Sequence, residues 1–266
     1  MTGWTRWADA GWRGWRAASA GGVEAWLAAA ASGDGRTSRH ARTLRVGGAW
    51  VKTYPAPAGR RALHAWRIGG TLARAGFAVP EVLLVARRRG EGLLVTGDVG
   101  GDDLLAALAR CGAGGAVGRA RKRALLRRLG ETVGRLHAAG FVHGDLVPPN
   151  VRVRDDALVL LDHDRTRRGR LLVWWGGRRN LVQLGRFVVP GVTVADRTRV
   201  LRAYATTRRV PRRARRRLAR WLVGKITARR CAIDGIPPAV AHAAGFRALM
   251  RAGGPFDPAA PRWRDA

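Results

Sequence analysis

The sequence predicts an α+β protein of two lobes, a small β-rich lobe followed by a larger helical one. Short apolar runs bounded by turn residues fill the first hundred residues, and Gly47-Gly48 separates two of them in the manner of a hairpin turn. Beyond residue 104 the apolar residues recur at helical spacing, most regularly over residues 120–138. A strand-rich lobe joined to a helical lobe is typical of enzymes that bind substrates in a cleft between the two.

Turn residues and apolar spacing divide the chain into three segments. We assign residues 1–30 to an N-terminal segment rich in Trp and Arg, residues 31–98 to the N-lobe and residues 99–266 to the C-lobe. The N-lobe is predicted to hold a hairpin, a helix and two strands, at 43–54, 62–75, 82–85 and 93–95. The C-lobe is predicted to hold two helices, two short strands and further helices, at 104–108, 120–138, 151–153, 158–161 and from 180 onward.

The first segment is rich in tryptophan. Four of its tryptophans fall on one side of a helix with arginines opposite: Trp4, Trp7, Trp12 and Trp15. A basic amphipathic helix of this kind either packs on the body of the protein or lies in a membrane interface. We expect it to pack on the protein body.

The chain is strongly basic, with 50 Lys and Arg against 18 Asp and Glu and a formal net charge of +32. A field of this strength attracts polyanions such as nucleic acid, an anionic membrane or a phosphorylated glycan. A composition biased towards Arg, Ala and Gly would also raise the arginine count, but it would not explain the scarcity of acidic residues. We therefore expect an anionic partner.

The composition argues against several classes of protein. Apolar residues make up 47% of the chain, which is enough to bury a core and argues against general disorder. Cys111 and Cys231 are too few for a disulfide framework or a zinc site. No apolar run has the length of a transmembrane helix and no leucine-rich region follows the first residues, so we expect neither a membrane span nor a signal peptide.

The residues suited to chemistry are concentrated between positions 143 and 164. His143, Asp145 and Asn150 share one loop, and Asp162 ends the next apolar strand. A carboxylate can orient an attacking hydroxyl and accept its proton, while a second carboxylate and a carboxamide are hard oxygen ligands for Mg²⁺. Phosphoryl transfer from ATP requires this combination. Each residue alone is more often structural, but their order and flanking elements favour a catalytic loop.

This segment resembles the catalytic loop of the protein-kinase-like superfamily. The run His143-Gly144-Asp145-Leu146, followed by Pro148 and Asn150, is similar to the aminoglycoside and choline kinases. The rest of the chain resembles the lipopolysaccharide core kinases, which phosphorylate Kdo or heptose. That resemblance covers residues 44–205 and rests on Asp162-His163-Asp164-Arg165, on Asn180-Leu181 with Leu184 and Arg186, and on Ala65-Trp66-Arg67 leading to Gly76 and Pro80.

The resemblance implies a two-lobed, protein-kinase-like fold with an ATP cleft between the lobes, and a kinase that uses ATP and Mg²⁺. Carried over by position, it makes Asp145 the catalytic base, and Asn150 and Asp162 the metal ligands. Lys52 is then the lysine on the α and β phosphates. Supporting roles fall to His143, which braces the loop, and to Asp164, which is either a further metal ligand or a cap.

Lys52 has support from composition as well, because lysine occurs elsewhere only at Lys122 and Lys225. The predicted helix at 62–75 has no acidic residue to pair with it. Either Glu81 or Glu91 replaces that partner, or Lys52 is unpaired. Small residues at 32–38 are a weak candidate for a loop over the nucleotide phosphates, since they leave backbone N–H groups accessible.

The first hypothesis is an ATP-dependent kinase that phosphorylates a sugar hydroxyl of the lipopolysaccharide inner core, on Kdo or heptose. The alternatives are a small-molecule kinase of the aminoglycoside or choline type, a Ser/Thr protein kinase, and a non-catalytic nucleic-acid-binding or pseudokinase scaffold. Val147 stands where Ser/Thr protein kinases usually keep a Lys, which argues against a protein substrate.

The expected partners are ATP and an anionic glycolipid or sugar acceptor. No specific nucleic acid is expected, because the sequence has no stacking platform or reading motif. Basic residues at 165–170 rank above the basic stretch at 208–230 for contact with the acceptor. The expected location is the cytoplasm, with an anionic membrane surface, the inner face of the cytoplasmic membrane, as a further contact.

Overall fold

The computed structural model describes residues 3–38, 40–187 and 191–234. Contacts divide the chain into two compact units. Unit 1 comprises Met1–Gly100 and Val159–Thr166, and unit 2 comprises Gly101–Leu158 and Arg167–Ala266. The division at residues 30 and 98 stays a prediction.

In the described part of unit 1, a seven-stranded sheet is accompanied by two α-helices. The strands are β1 (Trp4–Asp9), β2 (Trp12–Ala17), β3 (Arg36–Thr37), β4 (Arg42–Val46), β5 (Ala49–Tyr54), β6 (Val82–Arg88) and β7 (Glu91–Gly97). The helices are α1 (Val23–Ala31) and α2 (Arg60–Arg74). The strands form one antiparallel sheet in the order β1-β2-β6-β7-β5-β4-β3.

Both faces of this sheet are covered by apolar side chains. On β6, Leu84 belongs to one buried cluster and its neighbour Val85 to the other. Successive side chains of a strand point to opposite faces, so the two clusters lie on the two sides of the sheet. The first cluster includes Trp26 of α1, and the second includes Trp66 of α2.

The helix that we expected in the first segment is wrong, because this segment forms the hairpin β1–β2. The turn is Ala10-Gly11, and both residues have positive φ, which suits the twist of a two-residue hairpin turn. Residues three apart lie on opposite faces of a strand, so one tryptophan of each strand faces each cluster. Trp7 and Trp12 pack in the cluster with α1, while Trp4 and Trp15 contact Trp66.

The other elements predicted for unit 1 are confirmed with small changes in length. The hairpin around Gly47-Gly48 is β4–β5, and the strands predicted at 82–85 and 93–95 are β6 and β7. The helix predicted at 62–75 is α2, which ends just before Gly76, a residue with φ of 79°.

Unit 2 is mainly helical. Its helices are α3 (Leu104–Ala113), α4 (Gly115–Ala138), α5 (Arg170–Gly185), α6 (Val194–Thr207) and α7 (Arg212–Asp234). Its short strands are β8 (Asp102–Asp103), β9 (Phe141–Val142), β10 (Val151–Arg154) and β12 (Arg167–Arg168), while β11 (Ala157–Leu160) runs across the boundary between the units. The helices and strands predicted for the C-lobe are therefore confirmed as far as residue 234, and the part of the helical prediction that covers residues 188–190 and 235–266 lies outside the described residues.

The helices of unit 2 pack closely around an apolar interior. A side chain at Gly130 of α4 would lie 2.3 Å from the carbonyl oxygen of Val200 in α6, so glycine permits this approach. An apolar cavity of about 390 Å³ lies among the helices, next to Leu129, Leu201 and Leu222. No helix among the described residues is long and apolar enough to cross a membrane.

Replacing Gly14 should destabilise unit 1, because β2 approaches β6 too closely for a side chain. A Cβ atom at Gly14 would lie 1.9 Å from the carbonyl oxygen of Val85. We expect Gly14→Ala to lower the free energy of unfolding by about 3 kcal/mol, as overpacking does. Urea unfolding measures this cost. Gly48→Ala is the matched control, since its Cβ would meet nothing within 4 Å; equal losses in both variants would contradict the prediction.

Candidate functional site

Lys52 lies on β5 and its ammonium group contacts two carboxylates of unit 1. Lys52 Nζ is 2.6 Å from Asp162 Oδ1 and 3.4 Å from Asp164 Oδ2. The side chain of Lys52 is 18% exposed and that of Asp164 only 7% exposed, so this contact is largely shielded from water. Charges in such an environment interact more strongly than on the surface.

Lys52 is paired, but its partner is neither Glu81 nor Glu91. Glu81 accepts a hydrogen bond from Ser19 Oγ at 2.6 Å, and Glu91 pairs with Arg88 at 3.0 Å. Lys52 pairs instead with the carboxylates of Asp162 and Asp164.

Helix α2 contacts the segment 159–166 through basic groups. Arg61 Nη1 lies 4.0 Å from Asp164 Oδ2, and His64 Nε2 lies 2.7 Å from the carbonyl oxygen of Thr166. The helix therefore holds this segment by its first two turns. Arg61 adds a second positive charge beside Asp164.

The environment of Asp164 opposes its ionisation. Burial raises the pKa of Asp164, and the positive charge of Lys52 lowers it in part while the charge of Asp162 raises it. The buried hydroxyl of Tyr54 lies close by, and burial followed by the charges of Asp164 and Asp162 raises the pKa of Tyr54 well above its usual value. Tyr54 therefore remains neutral, and Asp164 depends on Lys52 to hold its charge.

Asp162 has an unusual backbone conformation. Its φ of 59° and ψ of 72° place it in the left-handed region, directly before the short 3-10 helix His163–Arg165. Asp tolerates this region better than most residues, at a cost of about 1 kcal/mol or more. Next to it, His163 is buried and its Nε2 contacts the carbonyl oxygen of Leu160 at 2.8 Å, which ties the 3-10 helix to the preceding strand.

The catalytic loop predicted at residues 143–150 follows β9 in unit 2. Asn150 ends the loop in the 3-10 helix Pro148–Asn150, and its Nδ2 donates a hydrogen bond to the carbonyl oxygen of Asp145 at 3.0 Å. This bond engages the amide nitrogen and leaves Oδ1 as the atom suited to a metal. His143 is fully buried beneath the loop, as a bracing residue would be.

Two amide side chains of α5 form hydrogen bonds with the backbone of this loop. Asn180 Oδ1 accepts the backbone N–H of His143 at 3.0 Å, and Gln183 Oε1 accepts that of Leu146 at 3.2 Å. Gln183 Nε2 donates to the carbonyl oxygen of Gly144 at 2.9 Å and lies 3.5 Å from Asp145 Oδ1. The loop thus has hydrogen-bond partners on both sides of Asp145.

The chain of hydrogen bonds continues into the interior of unit 2. Gln183 Oε1 accepts from Asn180 Nδ2 at 3.0 Å, and Asn180 Oδ1 accepts from His137 Nε2 at 3.2 Å. His137 Nδ1 in turn accepts from the hydroxyl of Tyr204 at 3.1 Å. This assignment needs a neutral His137, and burial lowers the pKa of His137 to about 4.

Sequence reasoning missed part of this arrangement. The sequence marks Asn180 only as part of a family pattern, without a role, and it singles out neither Gln183 nor His137. The only local signal is that Asn180 and Gln183 lie three positions apart on one helix, so that both can face the same loop.

The predicted site residues fall into two groups. Lys52, Asp162 and Asp164 meet in unit 1, and His143, Asp145 and Asn150 lie on one loop of unit 2. Within the described residues, no three His, Cys, Asp or Glu side chains gather as a metal site. The candidate phosphate loop at 32–38 borders a cavity of about 230 Å³ in unit 1, where Gly33 and Ser38 are among the lining residues.

Comparison with known proteins shows several similarities. A model of the lipopolysaccharide kinase (Kdo/WaaP) family matches residues 29–204. The solved structure of WaaP in complex with acyl carrier protein is similar to this chain with a TM-score of 0.59 and 23% identity, over 75% of this chain and 90% of that one. This likeness confirms the protein-kinase-like fold.

Two further proteins share less with this chain. The crystal structure of an aminoglycoside-3'-phosphotransferase of type VIII gives a TM-score of 0.49 at 18% identity, over 73% of this chain and 92% of that one. A probable bifunctional tRNA threonylcarbamoyladenosine biosynthesis protein of Methanoculleus marisnigri is 57% identical over 37 residues. That match spans 14% of this chain and only 7% of the relative's length.

The neutral state of His137 should make stability depend on pH. Its pKa is about 4 in the folded protein and 6.5 in a model peptide, so the unfolded chain binds the proton first as pH falls. The stability that neutral His137 contributes is fully present above pH 6.5, and the free energy of unfolding should fall by up to about 3 kcal/mol between pH 6.5 and 4. Urea unfolding of wild type and His137→Gln over this range isolates the effect; parallel pH profiles would contradict it.

Proposed function

The chain belongs to the lipopolysaccharide kinase (Kdo/WaaP) family, and from this we propose that it transfers the γ-phosphoryl group of ATP to a hydroxyl of Kdo or heptose in the lipopolysaccharide inner core. The family makes the chain a phosphotransferase and implies that it uses ATP, typically with a divalent metal. The proposal adds the acceptor, the metal and the role of each residue.

One observation carries the proposal, namely the shared position of Lys52 between Asp162 and Asp164. A compact ammonium group suits phosphate oxygens as a point charge, and a carboxylate beside it suits the metal that accompanies them. Lys52 is the proposed ligand of the α and β phosphates. Because it sits against Asp162 at 2.6 Å, the same contact orients the metal-binding carboxylate.

Asp145 is the proposed catalytic base. In this role it orients the acceptor hydroxyl and accepts its proton as the hydroxyl oxygen bonds to the γ-phosphorus and the bond to the leaving ADP oxygen breaks. Gln183 Nε2 lies 3.5 Å from Oδ1 of Asp145, which leaves the other carboxylate oxygen for the hydroxyl. His143 supports the loop by its buried position.

Asn150 and Asp162 are the proposed Mg²⁺ ligands. Their donor atoms are a carboxamide oxygen and a carboxylate oxygen, which are hard ligands of the kind Mg²⁺ prefers. Because Asn150 Nδ2 donates to the carbonyl oxygen of Asp145, Oδ1 of Asn150 is the proposed ligand atom. When bound, Mg²⁺ neutralises charge on the phosphates and orients them for transfer. Asp164 is a proposed supporting carboxylate that balances Lys52.

The charge of the chain supports an anionic acceptor. The formal net charge of +32 would attract a phosphorylated glycolipid and raise its local concentration. We place the reaction at the inner face of the cytoplasmic membrane, where a basic protein can approach an anionic surface. Exposed arginines at 167, 168 and 170 follow Asp164 closely along the chain and are the proposed contacts to the acceptor.

Asp145→Asn should abolish most of the activity while keeping the shape of the side chain. We expect kcat to fall by about 10²–10⁴-fold, because the amide cannot accept the hydroxyl proton. The measurement is Mg²⁺-dependent ADP release with and without delipidated lipopolysaccharide core. The matched control is Asp155→Asn, an exposed carboxylate in the turn after β10.

Two results would contradict this proposal. Acceptor-dependent turnover that survives in Asp145→Asn would remove Asp145 from the role of base. Turnover with an aminoglycoside or a protein, and none with any core sugar, would replace the lipopolysaccharide acceptor by one of the alternative substrates.

Gln183 should act as a positioning residue for Asp145. We expect Gln183→Glu to lower kcat by more than about tenfold, because its carboxylate repels that of Asp145 and cannot donate to the carbonyl oxygen of Gly144. Gln183→Leu should lower kcat by about tenfold and leave the KM for ATP unchanged, since it loosens the loop. A rise in the KM for ATP without a change in kcat in either variant would show a merely structural role.

A further inference from the structure

Helix α5 exposes large apolar side chains at its beginning. Leu171 is 88% exposed, Trp175 80% and Trp174 68%, and Leu172 is also exposed. We refer to Leu171, Leu172, Trp174 and Trp175 as the α5 patch. Isolated exposed apolar residues are ordinary, but four within five positions, including two tryptophans, indicate a contact surface.

The α5 patch faces away from the interior of unit 2. Val173, Gly177 and Asn180 are buried, and they recur at the spacing of one helix face. Leu171, Trp174 and Trp175 lie on the opposite face, because residues three and four apart are neighbours along a helix. The helix therefore buries one side in its own unit and presents a second apolar side outward.

Arginines surround the α5 patch on both sides. Arg167, Arg168 and Arg170 precede it and Arg178 and Arg179 follow it, and all five are exposed. Arg178 lies over the rings of Trp174 and of Trp221 in α7, at 5.8 and 5.6 Å from their centroids. Among the described residues, none of the five has a carboxylate partner.

This combination fits one kind of occupant better than others. Trp and Leu flanked by Arg is the composition of helices that lie in the headgroup region of a bilayer, where the rings enter the boundary and arginines contact lipid phosphates. A second copy of the chain would place five arginines against five more without compensating acids. A soluble polyanion would bind the arginines and leave the two leucines in water.

We propose that the α5 patch and its flanking arginines dock the protein on an anionic lipid bilayer, with α5 near the plane of the headgroups. The apolar side chains would enter the boundary by about 5–10 Å, and the five arginines would contact lipid phosphates. The purpose of this docking is access to a glycolipid acceptor, and that purpose rests on the proposed function. Docking itself needs neither ATP nor an active site.

The experiment is flotation of the full chain, without ATP, with vesicles of phosphatidylcholine alone or with phosphatidylglycerol. We expect binding to anionic vesicles and little to neutral ones. Trp174→Ser combined with Trp175→Ser should lower the partition coefficient by about tenfold or more. Leu171→Ser should lower it as well, whereas Val117→Ser, an equally simple change at a residue that is 80% exposed on α4, should not.

A charge-matched pair of variants distinguishes docking at the α5 patch from general electrostatic attraction of the protein to the vesicles. One triple variant, Arg167→Gln with Arg168→Gln and Arg170→Gln, removes three charges beside the α5 patch. The other, Arg212→Gln with Arg213→Gln and Arg216→Gln, removes three charges from exposed positions on α7. The first triple should weaken binding at least about fivefold more than the second. Circular dichroism and thermal unfolding confirm that all variants fold.

Several outcomes would overturn the proposal. They are absence of vesicle binding by the full chain, equal losses in the two arginine triples, and unchanged binding in the tryptophan variant. Binding to RNA or to an acidic protein that depends on Trp174 and Trp175, without vesicle binding, would assign the surface to that partner instead. Asp145→Asn should bind vesicles like wild type, so failure of the kinase proposal leaves this test intact.

Discussion

A single ammonium group shared by two carboxylates holds the segment 159–166 in unit 1. Lys52 lies on a strand near the middle of the sheet, and Asp164 is so well shielded that its charge needs a nearby cation. Removing one member of a shielded ion cluster leaves the others uncompensated, at a cost of several kcal/mol. Lys52 holds the segment that contains both the left-handed turn at Asp162 and the carboxylate that Arg61 of α2 contacts. Both features therefore depend on this cluster.

Unit 2 holds its loop at residues 143–150 with neutral side chains instead of an ion pair. Its buried loop would leave backbone N–H and C=O groups unsatisfied, and the amides of Asn180 and Gln183 supply the partners. A carboxamide both donates and accepts, so two amides and one neutral imidazole can form a continuous chain without burying a net charge. One unit therefore concentrates charge where phosphate and metal are proposed to bind, and the other positions a carboxylate with uncharged groups.

The elements that could be predicted from sequence are those with local signals. Gly47-Gly48 marks a turn by itself, and the loop 143–150 carries its pattern within eight residues. Trp4 and Trp7 are three apart, as are Trp12 and Trp15, and this spacing fits one side of a helix or opposite faces of a strand. Only distant residues such as Trp66 decide between the two. The partners of Lys52 lie 110 and 112 positions away, and no sequence pattern near Lys52 indicates them.

The hairpin turns of unit 1 place two ordinary side chains in the left-handed region. Ala10 has φ of 48° and Arg89 has φ of 44°, and each is followed by glycine. Ala or Arg in this region costs about 1 kcal/mol, whereas Asn adopts it more readily because its short polar side chain can hydrogen-bond locally. These two exposed turns therefore make the sheet that carries Lys52 less stable than it could be. Thermal tolerance could therefore be raised at those turns without altering any residue near the proposed chemistry.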